Sequence, residues 1–133
     1  MPSDDLPAYF QDDLKLQQVE DRVIGMTFSE FGRRIKSNGS TGTDHGSAAP
    51  MFVFGKNVDA SVIGDTPNIP VTATFSDNLP FQYDFRSVYA TLLNKWLCVD
   101  SKDLEQIMLK NFQTLPLINS LACNKSVNLS GEN

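Results

Sequence analysis

Histidine and tryptophan each occur once in the 133 residues, and cysteine twice. That scarcity excludes several kinds of site. Cys98 and Cys123 are spaced as in no zinc or redox motif. One imidazole cannot build the protein shell of a zinc centre unless carboxylates join it. No Gly-x-Ser-x-Gly elbow occurs, and Gly39, Gly42 and Gly46 lack the Gly-Lys-Ser/Thr of a phosphate loop. No apolar run approaches the roughly 20 residues that cross a bilayer. Residues 1–20 have neither the basic start nor the apolar stretch of a signal peptide. No Lys/Arg-rich patch is present, and the net charge is −5 with a pI of about 4.6. Nucleic acid is therefore not an expected partner, and the acidic balance reads as a solubility feature.

What is present describes a globular chain. Hydrophobic residues make up 41%, aromatics 10% and charged residues 20%, enough for one domain with a core. Leu6, Phe10 and Leu14 form one stripe and predict a helix over residues 5–18, capped from Ser3, Asp4 or Asp5. Residues 23–28 and 51–55 are short apolar runs, as expected of strands covered on both faces. Residues 36–50 are rich in Gly, Ser and Thr and carry no periodicity, so a loop is expected there. Residues 71–75 read as a short edge strand. Phe85, Val88, Tyr89, Leu92 and Trp96 predict a helix over 84–98, and Leu104, Ile107, Met108 and Phe112 a shorter one capped near Asp100 or Ser101. From residue 118 the chain turns polar, so residues 1–117 form the folded part and residues 118–133 a polar tail. The fold class expected is α/β, with few strands and about three helices.

Two clusters beside the strands carry the candidate chemistry. Glu30 and Arg33 follow the first apolar run, where ligands bind at the carboxyl ends of strands in open α/β sheets. Glu30 suits a metal or a proton transfer, and Arg33 a phosphate or sulfate. The competing reading makes Glu30 the first-turn acid of a helix and Arg33 a solvated side chain. The second cluster is Gly42-Thr43-Asp44-His45-Gly46. His45 suits metal ligation, Asp44 would ligate beside it or orient it, and the flanking glycines would let backbone approach a ligand closely. The competing reading is a loop histidine satisfied by a local hydrogen bond. Cys98 and Cys123 either form one disulfide or remain a buried helical thiol and a tail thiol. The triplet Asn38-Gly39-Ser40 matches a glycosylation acceptor, a pattern that chance produces often.

These motifs also carry a resemblance. The stretch RVIGMTFSEFGRRIKSNGSTGTDHGSAAPMFVFG, residues 22–55, resembles the C-terminal signature of bacterial proteins grouped as domain-of-unknown-function family 1501. Residues 83–100, YDFRSVYATLLNKWLCVD, resemble that family's closing helix. The similarity spans roughly residues 6–118, with the motifs in the expected order. It implies the C-terminal portion of a three-layer α/β/α sandwich of the alkaline phosphatase and sulfatase superfamily, and a metal-dependent ester hydrolase acting on a small anionic substrate. It implies too that the first part of that fold lies outside this chain, that the parent is exported to the periplasm, cell surface or medium, and that the chain alone is inactive. His45 falls where the superfamily places a late metal-binding histidine, with Asp44 and Glu30 as further candidate ligands for zinc, calcium, magnesium or manganese. Ser29 and Glu30 stand where many superfamily members have Asp and His. The alternative this opens is a binding or scaffold protein that keeps the fold without the full metal site. Apolar strands left without neighbours predict self-association or a partly molten state of the isolated chain.

Overall fold

In the computed structural model, which describes residues 6–119 and Cys123, the chain divides into two units. The first combines Met1–Gly25, Val53–Ser61 and Phe85–Asn133; the second combines Met26–Phe52 and Val62–Asp84. The expected caps Ser3, Asp4 and Asp5, and the expected tail beyond Asn119 apart from Cys123, lie outside the described residues.

Among its described residues the first unit holds three α-helices. Helix α1 (Leu6–Leu16) follows its apolar stripe: Leu14 is buried, and Phe10 sets its ring edge-on to Phe54, 6.4 Å between centroids. Gln18 ends the helical path with a left-handed backbone, φ 58°. Helix α2 (Phe85–Thr91) buries Ser87, Val88, Ala90 and Thr91. The expected helix over 84–98 does not stay α throughout. Residues Leu92–Trp96 widen into a π turn, closed by the Leu97 N–H on Leu92 O at 2.9 Å. Helix α3 (Ser101–Met108) starts where the capping residue predicted. The Asp100 carboxylate accepts from the backbone N–H groups of Lys102 at 2.7 Å and Asp103 at 3.4 Å, meeting two of the donors a helix start leaves open. Leu109 ends it at φ 58°, so Phe112 falls beyond the helix, with the Arg86 guanidinium 4.7 Å from its ring centre.

Thr91 joins this unit together. Its hydroxyl donates to Ser87 O at 2.6 Å and accepts the Leu115 N–H at 2.8 Å, and the side chain is fully buried. Beyond Leu115 the chain runs antiparallel to residues 57–59. Asp59 N–H donates to Leu117 O at 2.9 Å, Asn119 N–H donates to Asn57 O at 3.0 Å, and buried Ile118 bridges Val58. A disulfide joins Cys98 to Cys123 with 5.5 Å between Cα atoms, which settles the two readings of the cysteines in favour of pairing.

The strands are short. Of the run 23–28 only Gly25–Met26 forms a strand, β1, and of 51–55 only Val53–Phe54, β4; the two pair with each other. A Cβ on Gly25 would run into the Phe54 ring, so glycine is required by that close approach. Gly32–Arg33 (β2) and His45–Gly46 (β3) make a second, antiparallel pair. Each strand has one partner among the described residues, and the runs are not buried throughout: β1 and β4 are half-buried, while Phe28 beside β1 is 77% exposed and Phe52 beside β4 is 64% exposed. Among the described residues the architecture is thus mixed α/β, three α-helices with small two-stranded sheets. The edge strand expected over 71–75 is absent. The Asp77 carboxylate accepts from the Thr74 N–H at 2.7 Å and its hydroxyl at 2.9 Å, and this local bonding competes with a strand ladder.

Candidate functional site

The second unit contains Glu30, Arg33, Asp44 and His45. The residues after β1 do not start a helix; they enter β2, which pairs with β3 in the register Gly32↔Gly46 and Arg33↔His45. Arg33 and His45 are therefore cross-strand partners, a relation that residue spacing alone does not reveal. Glycine makes the pairing possible. A Cβ on Gly32 would run into the Ala48 carbonyl, and one on Gly46 would sit 2.5–2.7 Å from the backbone of Arg33 and Arg34. Gly46 thus serves a close approach of chain to chain, rather than of chain to ligand.

The Asn38 side chain ties the loop between the strands together. Asn38 Oδ1 accepts from the N–H groups of Ser40 at 2.9 Å and Gly42 at 3.2 Å. Its Nδ2 donates to Asp44 Oδ1 at 2.8 Å, and its backbone N–H to Gly42 O at 2.7 Å. The stretch 36–50, aperiodic in sequence, is ordered here by a polar network.

Around this hairpin Arg33, Arg34, Thr43, Asp44 and His45 line an open depression of about 450 Å³. Arg33 Nη1 donates to Thr43 O at 2.7 Å, and Arg34 Nε to His45 O at 3.3 Å. A guanidinium has five N–H donors, so both keep donors for an anion. The His45 ring stacks on Phe31 with centroids 3.5 Å apart and planes 15° apart, and Arg33 lies 5.6 Å from the same ring centre. Stacking leaves the imidazole nitrogens at the ring edge, where they can bond. Phe31 and Arg34 are the residues that sequence reasoning missed. Their signal was position: one beside Gly32, the other beside Arg33.

Residues 3–106 match the family described as "Protein of unknown function (DUF1501)". The chain belongs to the DUF1501 family. No curated protein and no solved structure matches it. Within this DUF1501 chain the structure brings together Arg33, Asp44 and His45 but not Glu30, which is exposed and does not line the depression. Ser29 turns its hydroxyl to Phe31 O at 2.8 Å. Among the described residues no three of His, Cys, Asp and Glu gather as a metal site needs. Asp44 and His45, adjacent in sequence, are two donors at most, so these residues do not by themselves fit a metal ion. No helix among the described residues is long and apolar enough to cross a membrane.

Proposed function

We propose that this chain is the C-terminal part of a metal-dependent phosphate- or sulfate-ester hydrolase with an alkaline-phosphatase-like three-layer α/β/α fold, and that the β2–β3 hairpin is its anion-reading wall. The observation that carries the reading is the cross-strand pairing of Arg33 with His45. It sets two guanidiniums and an imidazole around one open depression. Planar guanidiniums match the oxygens of phosphate and sulfate, and charge-assisted bonds to such oxygens are the strong ones. In this reading Arg33 and Arg34 hold the ester anion, and His45 with Asp44 supplies ligands to a metal whose other ligands come from outside the described residues. The exposed Phe28 and Phe52 beside β1 and β4 fit strands that gain neighbours in the complete sandwich. The Cys98–Cys123 bond fits an exported parent, since disulfides persist in oxidising compartments.

The test is His45→Ala in the full-length protein, read by elemental analysis and by turnover of phosphate and sulfate esters. Both metal content and hydrolysis are expected to fall; unchanged metal content overturns the reading.

One observation favours a second reading, a binding or scaffold role without hydrolysis. Ser29 spends its hydroxyl on Phe31 O and Glu30 stands off the depression, although both occupy positions where superfamily enzymes carry metal ligands. Metal-dependent turnover of any ester in the same screen excludes it.

A further inference from the structure

Asn38 is the one asparagine of the chain that precedes a glycine. We propose that Asn38-Gly39 is a site of spontaneous covalent modification, deamidation through a cyclic imide, which places a new carboxylate against Asp44. Imide formation requires the next residue's backbone nitrogen to reach the side-chain carbonyl carbon. A side chain on that residue hinders the approach, and Gly39 has none; even a Cβ built there meets nothing within 4 Å. The Gly39 N–H has no partner among the described residues, so solvent base has access to it. As Cγ becomes tetrahedral, negative charge develops on Oδ1. The N–H groups of Ser40 and Gly42 already point at that oxygen, 2.9 and 3.2 Å away, and stabilise the charge as an oxyanion hole does.

The step balances without a redox partner. Solvent base takes the Gly39 amide proton, the nitrogen lone pair forms the bond to Cγ, and the Cγ–Nδ2 bond breaks. The departing nitrogen takes a proton and leaves as ammonia. One water then opens either carbonyl–nitrogen bond of the imide, giving aspartate or isoaspartate at position 38.

The product changes the loop. In the aspartate form the carboxylate keeps the Ser40 and Gly42 donors but has no Nδ2–H for Asp44, and in the isoaspartate form the main chain itself is rerouted through Cγ. In the aspartate form two carboxylates would then face each other where a 2.8 Å hydrogen bond stood, and like charges at that range repel. Asp44 also accepts the Arg34 N–H at 3.0 Å through its backbone oxygen, so the displacement reaches the hairpin that lines the depression.

The test is a peptide map of the folded chain after prolonged warm incubation at mildly alkaline pH. The Asn38 peptide should gain the mass difference between amide and acid and split into aspartate and isoaspartate forms, with a more acidic band on isoelectric focusing. Gly39→Ala, which has room for its methyl group, should slow that conversion many-fold. In Asn38→Asp the Arg34 amide should exchange its hydrogen faster than in the parent chain. An Asn38 that stays an amide while a short peptide of the same sequence converts fully would overturn the proposal. So would a Gly39→Ala chain that converts as fast as the parent, or an unchanged Arg34 exchange rate.

Discussion

Replacing Thr91 with valine tests how the helical unit is held together. Valine keeps the shape and removes the hydroxyl. Ser87 O loses the 2.6 Å side-chain bond but keeps its place in the helix. The Leu115 N–H, half-buried, loses its 2.8 Å acceptor. A buried donor left without a partner costs about 1–3 kcal/mol. The lost bond to Ser87 O adds about 1 kcal/mol, the valine methyl recovers about as much through apolar transfer, and the net loss is about 2 kcal/mol. For a domain of this size that corresponds to roughly 6–10 °C in Tm. Thr91→Ser separates the two parts of the side chain, because it keeps the hydroxyl and gives up one methyl group, worth about 1 kcal/mol. The assay is thermal unfolding followed by circular dichroism at several protein concentrations, so that any self-association is seen as a concentration dependence. A valine variant that melts within about 2 °C of the parent, below the shift expected for a lost buried bond, would refute the role given to Thr91. So would a serine variant less stable than the valine one.

Two further outcomes follow from the second unit. Gly46→Ala puts a methyl group 2.5–2.7 Å from the Arg33 and Arg34 backbone, so it should break the β2–β3 pairing and release the Arg33 and Arg34 contacts; amide exchange at Arg34 should rise toward that of an unstructured loop, and full protection would contradict the register. Asp77 is held below the usual aspartate range by the backbone and then the hydroxyl of Thr74, so its contribution is present above its unfolded pKa and lost as pH falls through the lower folded value. The turn at 74–77 should therefore loosen on the acid side alone, read by the Thr74 amide shift, and Asp77→Asn should remove that acid dependence; because the group is exposed, added salt should weaken the effect.

Local chemistry settled much of the fold in advance. The stripe through Phe10 and Leu14 specifies α1, and Asp100 specifies the start of α3, because periodicity and capping act within a turn or two of chain. The candidate residues Arg33, Asp44 and His45 were visible as chemical types before any geometry was known. Their arrangement was not. Arg33 faces His45 because Gly32 and Gly46 let two strands approach, and the sequence marks those glycines without saying what comes close. The Phe31 platform under His45 and the seam between residues 57–59 and 117–119 each depend on partners distant in the chain. The extent of β1 and β4 depends on neighbours too: an apolar run can specify a strand, but how much of it pairs is set by the strand beside it. Side-chain type and short-range pattern are written in the sequence; register, stacking and the sharing of donors are decided only when separate segments meet.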